Sequence, residues 1–115
     1  FDLRVLVIGG RISQQIARVG RGTITNLHID AERREVSEAL AKFPASVLSS
    51  LHDVCQRTAA CFPAQQMVGI DVMVDPQGRP YVIECNAWGD YLPRLLSDGK
   101  DSYESQVEAL FSCAA

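Results

Sequence analysis

The stretch that decides the fold is Gly69–Asp75, with the sequence GIDVMVD, followed after a turn by Tyr81–Asn86, with the sequence YVIECN. Both segments are rich in β-branched residues, which are typical of strands. Between them, Asp75-Pro76-Gln77-Gly78 is a favourable turn sequence. The two segments therefore predict neighbouring strands, and each carries an acidic residue in its middle.

Side chains alternate between the two faces of a strand, so the sequence also predicts which residues lie together. Asp71 shares a face with Met73, and Glu84 shares a face with Val82 and Asn86. The opposite faces are predicted to be core, and they hold Ile70, Val72 and Val74 on the first strand and Tyr81, Ile83 and Cys85 on the second.

Carboxylates inside apolar strands need a proton or a cation, because burying an unpaired charge is very costly. Asp71, Glu84 and the amide of Asn86 would form an oxygen-rich site suited to a hard divalent cation. The alternative is a pair of amphipathic strands whose acids face water. The residues alone leave both interpretations open, and a pair of carboxylates does not identify a metal.

Composition excludes several classes of function. The 115-residue chain has a net charge of −3 and no basic cluster, so nucleic acid is not an expected partner. No apolar run approaches the roughly 20 residues that cross a bilayer, so a membrane is not expected either. The four cysteines lack zinc-like spacing and predict reduced core thiols in a cytoplasmic protein, with a disulfide left open. Because the sequence enters a strand almost at once, we expect it to be part of a longer protein.

The order of predicted elements is ββ-αα-ββ-α. A strand at 2–8, the turn Gly9-Gly10 and a returning strand at 11–18 form a hairpin, and a short segment at 23–29 follows. Apolar residues at helical spacing predict helices over 36–43 and 47–62. Asp101 is expected to cap a last helix whose Val107, Leu110 and Phe111 face inward. This pattern predicts an α+β fold, an antiparallel sheet with helices packed on one face.

Five segments in this order match a known family; they are Asp2–Gly9, Ile16–Arg18, Ile24–His28, Gly69–Asp71 and Ile83–Asn86. With them the chain resembles the C-terminal part of the ATP-grasp superfamily. It is most similar to ligases related to ribosomal-protein glutamate ligase, lysine-biosynthesis ligase and glutathione synthetase. The resemblance implies that residues 1–115 are the C-terminal subdomain of an ATP-grasp domain, a fragment without the N-terminal ATP-binding lobe. The isolated chain is then expected to be inactive and to bind ATP weakly or not at all.

The resemblance also implies a metal site. Asp71 would hold one Mg²⁺, Glu84 would bridge two Mg²⁺ ions, and Asn86 would complete the second. Mn²⁺ is an alternative to Mg²⁺. Mg²⁺ is usually held by one or two carboxylates together with substrate phosphates, so the chemistry of these residues agrees with the implied role.

On the nucleotide side, the resemblance implies that Arg18 is catalytic and contacts the γ-phosphate of ATP. Met73 would form an apolar floor beneath the adenine. Arg4 and Asn26 match positions near the phosphates or the acceptor substrate. Without the resemblance, the favoured interpretation of Arg4 beside Asp2 is an ordinary surface pair.

The implied activity is that of an ATP-dependent carboxylate–amine ligase, which forms an amide through an acyl-phosphate intermediate. Its partners would be ATP, a carboxylate substrate (an amino acid or a peptide) and an amine acceptor. A peptide-modifying enzyme or kinase of the same superfamily, and a non-catalytic nucleotide-binding module, remain alternatives. A homo-oligomer is compatible with each. Many relatives carry a Gly-Gly pair where this chain has the sequence IDA at residues 29–31, so the identity of the substrate is not predicted. For Trp88 and Tyr91 two interpretations are open: they line an acceptor pocket, or they pack their loop.

Overall fold

A five-stranded antiparallel sheet organises the protein, in the strand order β3-β2-β1-β4-β5. The structure, a computed structural model, describes residues 1–20, 31–87, 92 and 94–113. Its strands are β1 (Asp2–Ile8), β2 (Arg11–Gly20), β3 (Ala31–Arg34), β4 (Met67–Val74) and β5 (Pro80–Asn86). Its helices are α1 (Val36–Ala39), α2 (Ser46–Ala60) and α3 (Ser102–Cys113).

The central strand β1 is buried along its whole length, because its sequence DLRVLVI offers apolar side chains to both faces of the sheet. It pairs with β2 on one side and with β4 on the other. Gly9 and Gly10 close the β1–β2 hairpin with φ values of 58° and 79°, in the left-handed region that glycine adopts without strain.

One face of the sheet is covered by α1 and α2 and forms the main core. Leu3, Val5 and Val7 of β1 point to this side, where they pack with residues of β4 and with the apolar stripe of α2. The other buried members are Ala17, Val36, Leu40, Val47, Leu51, Cys55, Ala59, Val68, Ile70, Val72 and Val74.

The second face of the sheet is covered only in part. Near the Gly9 turn, a smaller cluster of Leu6, Ile8, Ile16 and Met67 is closed by Leu92, with Leu95 and Ala109 of α3 packed against it. At the other end of the same face the strands carry charged side chains in place of apolar ones. This half of the second face, on which none of the described helices packs, is named here the open half, and the described site residues lie there.

Helix α3 approaches the sheet through small and polar residues. Gln14 donates to Lys100 O (2.9 Å) and to Ser105 Oγ (3.2 Å), and Gln66 donates to Gln106 O (2.5 Å). A Cβ added at Gly9 would lie 2.9 Å from the Cβ of Ala109, so the close approach needs glycine there. The predicted inward orientation of Val107, Leu110 and Phe111 is therefore wrong; they are 52%, 57% and 74% exposed.

The predicted α+β fold is confirmed, with local differences. The strand β3 was not predicted, and α1 is one turn long rather than the 36–43 helix expected. Asp101 caps α3 as predicted, its Oδ1 accepting the Glu104 N–H at 2.8 Å. The predicted segment at 23–29 lies outside the described residues.

Two further predictions about burial need correction. Tyr81 and Ile83 were expected in the core but are 50% and 52% exposed. Tyr81 pairs with Met73 on the second face of the sheet, and Ile83 is an extra, unpaired residue in the edge strand β5. Among the described cysteines, Cys55, Cys61 and Cys85 are free thiols; Cys55 is buried as expected, but Cys61 is exposed. In the described part of the chain, no helix has the length and apolar character needed to span a bilayer.

Candidate functional site

Four charged side chains from three adjacent strands meet on the open half of the sheet. Asp2 and Arg4 lie two residues apart on β1, so they share a face. The register places Arg18 of β2 opposite Asp2, and Asp71 of β4 opposite Arg4. We call Asp2, Arg4, Arg18 and Asp71 the charged cluster.

Every member of the charged cluster is held by another. Arg4 donates to both oxygens of Asp71, through Nε to Oδ1 and through Nη2 to Oδ2 at 3.0 Å. Arg18 donates to both oxygens of Asp2, through Nε to Oδ1 at 3.0 Å and through Nη2 to Oδ2 at 2.6 Å. The Nη2 group of Arg18 also lies 3.1 Å from Asp71 Oδ2 and so links the two pairs.

The charged cluster is buried and electrically neutral. The side chains of Asp2, Arg4, Arg18 and Asp71 are each exposed by 13% or less. Burial alone lowers the pKa of Arg18, but the hydrogen bonds and negative charges of Asp2 and Asp71 outweigh this effect and raise its pKa above the ordinary value for arginine. The guanidinium group of Arg18 therefore keeps its charge.

Glu84 reaches the same face because the β4–β5 ladder contains a bulge. Val72 pairs with Val82, whereas Asp71 pairs with Glu84, so Ile83 is an extra residue in β5. The extra residue reverses the alternation, and the predicted common face of Val82 and Glu84 is therefore wrong. Glu84 lies directly opposite Asp71, and its side chain is exposed.

Asn86 completes the group of oxygen-bearing side chains. It pairs with Gly69, and a Cβ added there would lie 3.7 Å from Asn86 Oδ1 and 3.6 Å from the side chain of Leu6. The Asn86 side chain thus lies on the same side of the sheet as Leu6 and Arg4. Its Nδ2 is 3.5 Å from Glu84 Oε1. The predicted metal ligands Asp71, Glu84 and Asn86 consequently share one face.

The donor set fits a divalent cation that draws most of its ligands from a substrate. Glu84 and Asn86 offer exposed or half-exposed oxygens, the hard ligands that Mg²⁺ prefers. Both oxygens of Asp71 accept hydrogen bonds from arginine, so a cation at Asp71 would compete with these arginines for the carboxylate. Within the described residues no ready cluster of three His, Cys, Asp or Glu side chains is formed.

Met73 extends the site with an apolar surface. It lies opposite Asp2 on one side and opposite Tyr81 on the other, on the face of the charged cluster. Met73 is 47% exposed and Tyr81 is 50% exposed, so a flat group could stack against them beside the arginines. Asn26, His28, Trp88 and Tyr91 lie outside the described residues.

Two cavities formed by the described residues lie away from the open half. A cavity of about 240 Å³ lined by Arg11, Ser97 and Glu108 lies at the other end of β1, near Gly9. A second cavity of about 540 Å³, lined by Phe62 and Leu110, lies at the same end. Neither cavity contains a residue of the charged cluster, nor Glu84 or Asn86.

Comparison with known proteins identifies the fold to which this arrangement belongs. The family described as YheC/D like ATP-grasp matches residues 1–114, nearly the whole chain. The chain belongs to this ATP-grasp family. The superfamily suggested by the sequence motifs is thereby confirmed.

A solved ATP-grasp structure agrees with the family. The ATP-grasp ligase PsnB, determined in complex with a minimal precursor, superimposes with a TM-score of 0.55 at 20% sequence identity. The match covers 96% of this ATP-grasp chain and 33% of the PsnB chain. This chain therefore spans about a third of that ligase's length. No curated protein matches this ATP-grasp chain.

Asp2 is the one member of the charged cluster that sequence reasoning did not select. It was considered only as a surface partner of Arg4, whereas it is buried and holds Arg18. The predicted hairpin already brings its first and last residues, and so Asp2 and Arg18, to the same end of the sheet. Placing them opposite each other requires the register, which local composition does not provide.

Proposed function

We propose that this chain is the metal- and phosphate-binding half of an ATP-dependent carboxylate–amine ligase. It would act as the C-terminal subdomain of an ATP-grasp domain, together with an N-terminal lobe that supplies further contacts to ATP. The observation that carries the proposal is the common face of the predicted metal ligands and two arginines on an open sheet of an ATP-grasp chain. Coverage of only a third of the PsnB chain supports the assignment to one part of a larger enzyme.

The residues of this chain would divide the work of phosphoryl transfer. Glu84 and Asn86 would hold Mg²⁺, joined by Asp71 after it exchanges its arginine partners. Arg4 and Arg18 would donate to phosphate oxygens and offset the charge that moves during transfer. Mg²⁺, when bound, would neutralise part of the phosphate charge. Met73 would support the adenine.

The proposed reaction begins when a substrate carboxylate attacks the γ-phosphate of ATP and gives an acyl phosphate and ADP. An amine then attacks the acyl carbon, an amide bond forms, and inorganic phosphate leaves. Arginines fixed on a rigid sheet would favour the first step by positioning as well as by charge. An amino acid or a peptide would supply the carboxylate.

One observation favours a second candidate, a non-catalytic nucleotide-binding module. The charged cluster is neutral and internally hydrogen-bonded without a metal ion, so Asp71 has a structural role whether or not catalysis occurs. In such a module Glu84 would be dispensable, because it is exposed and pairs with no arginine among the described residues.

The test uses the full-length protein that carries this chain. Phosphate release from ATP is measured against a panel of amino acids and short peptides. Glu84→Gln keeps the shape of the side chain and removes its charge, so an enzyme should lose about 100-fold or more of its rate. The matched control is Glu32→Gln in an exposed surface pair, which should leave the rate unchanged. Equal rates for wild type and Glu84→Gln would contradict the proposal.

A second measurement tests the division into lobes. Calorimetric titration of the isolated 115-residue chain with Mg·ATP should give weak or undetectable binding, because an open sheet face buries little of a nucleotide. Binding with a dissociation constant in the micromolar range would show that this chain alone forms a complete nucleotide site.

A further inference from the structure

Asp2 holds Arg18 in a fixed plane. The carboxylate accepts from Nε at 3.0 Å and from Nη2 at 2.6 Å, a two-point contact that sets both the position and the orientation of the guanidinium. The side chains of Asp2 and Arg18 are 10% and 13% exposed. Asp2 also lies on the central strand directly opposite Arg18, so the contact is built into the sheet.

The two carboxylates next to Arg18 are not equivalent. Asp71 receives only one contact from Arg18, at 3.1 Å, and it is shared with Arg4. Under the proposed function Asp71 exchanges partners when a cation binds. Asp2 makes both of its contacts with Arg18 and none of them depends on Asp71, so it can keep Arg18 in place while Asp71 changes ligand.

The contact with Asp2 also decides which donors of Arg18 remain available. Nε and Nη2 are directed to the two carboxylates. Within the described residues, the Nη1 group of Arg18 carries no hydrogen bond, which leaves its two N–H donors for a ligand. Two N–H groups on one nitrogen of a charged, positioned guanidinium are suited to a phosphate oxygen.

We infer that Asp2 is a positioning residue of the site, which orients Arg18 so that its Nη1 donors meet a phosphate group. The inference rests on the proposed function, in which Arg18 contacts the γ-phosphate, and adds to it a role for the carboxylate of Asp2, which acts through Arg18. Asp2 itself touches no reacting atom. Its contribution is a guanidinium that is oriented before the nucleotide arrives and stays oriented when Asp71 binds a cation.

The first test measures position without activity. In the 115-residue chain, the Nε–Hε signal of Arg18 is recorded by ¹H–¹⁵N NMR. In the wild type and in the Glu32→Gln control, the signal should be sharp and the Hε proton should exchange slowly with water. In Asp2→Asn, the signal should broaden and its chemical shift should move towards that of free arginine. An unchanged Arg18 signal in Asp2→Asn would overturn the inference, because the orientation would then come from elsewhere.

The second test uses phosphate release by the full-length protein. Asp2→Asn should lower kcat by about 100-fold, the effect of displacing a catalytic group by about 1 Å, with KM for ATP little changed. Because Asp2 acts through Arg18, Asp2→Asn should cause no further loss in an Arg18→Lys background. Additive losses in the double variant would indicate a separate structural role and overturn the inference. If Asp2→Asn does not fold, Asp2→Glu, which keeps the charge but displaces it, replaces it with the same expectations.

The outcomes separate this inference from the proposed function. If Glu84→Gln retains full phosphate release, the ligase proposal fails, whatever Asp2 does. If Glu84→Gln is inactive while Asp2→Asn retains wild-type kcat, the ligase proposal stands and the role of Asp2 is refuted.

Discussion

Removing one partner from the charged cluster should destabilise the fold far more than removing a matched pair. In Asp71→Leu, the three contacts that Asp71 receives from Arg4 and Arg18 are lost, and the charged cluster keeps two guanidinium groups and one carboxylate, which gives it a net charge of +1. Breaking a buried ion pair from one side typically costs about 3–5 kcal/mol. Arg4→Met leaves a net charge of −1 and should cost a similar amount. For a domain of this size, about 4 °C of Tm per kcal/mol gives a loss of about 12–20 °C for each variant.

The double variant Arg4→Met/Asp71→Leu should recover most of that loss. It leaves Asp2 and Arg18 as a neutral pair with both of their mutual hydrogen bonds intact. Replacing a buried ion pair by apolar residues of similar volume is often neutral or stabilising. The double variant should therefore lie within about 1 kcal/mol of wild type, and the coupling free energy should amount to several kcal/mol.

Urea unfolding monitored by circular dichroism measures all four proteins of the cycle. The matched control is the cycle on Arg34 and Glu32, a pair 3.2 Å apart whose side chains are 49% and 69% exposed. Its coupling should be at most about 1 kcal/mol and should fall with added salt, whereas the buried coupling should not. Losses in Arg4→Met and Asp71→Leu that add within about 0.5 kcal/mol would refute the reasoning, since the two groups would then be energetically independent.

Three further predictions concern other parts of the chain. Burial raises the pKa of Cys55 to about 12, so about one Cys55 thiol in 10,000 is ionised at pH 8. Treatment with iodoacetamide, followed by peptide mass mapping, should therefore show modification of the exposed Cys61 but not of Cys55. Backbone N–H donors lower the pKa of Asp75 below 3.8 in the folded protein. Asp75 therefore stabilises the fold above pH 3.8, and this contribution is lost as the pH falls through its pKa in the folded state. An NMR titration of Asp75 should give a midpoint below 3.8. Leu51→Ala should cost about 2–5 kcal/mol in urea unfolding because Leu51 is fully buried, whereas Phe111→Ala, at 74% exposure, should stay within about 0.5 kcal/mol.

The elements that were predicted correctly are those in which the pattern is local. Strands β1, β2, β4 and β5 follow from alternating or continuous apolar residues, and α2 follows from its apolar stripe. Strand β3, with the sequence AERR, has no such pattern and is a strand because it pairs with the end of β2. The orientation of α3 could not be predicted from apolar spacing, because the side that meets the sheet accepts hydrogen bonds from Gln14 and Gln66.

The site depends on two irregularities that periodicity does not show. In the antiparallel β1–β2 pair, the numbers of two paired residues have a constant sum as long as the pairing is unbroken. Next to the Gly9-Gly10 turn, Ile8 pairs with Arg11 and the sum is 19. Beyond a bulge that adds one residue to β2, Asp2 pairs with Arg18 and the sum is 20. Without that extra residue, Asp2 would face Ala17. The sequence alone could therefore indicate the arginine and the aspartate but not their contact.

The second bulge, in the β4–β5 ladder, also changes which residues face each other, and it has a physical cause. With unbroken pairing from the β4–β5 turn, Glu84 would lie opposite Ile70, a fully buried residue of the main core. A carboxylate there would have no cation and little water, at a cost of several kcal/mol. The extra residue Ile83 moves Glu84 to the open half, where it meets solvent opposite Asp71. The cost of burying one charge thus selects the register, and that register gathers the oxygens of the candidate metal site.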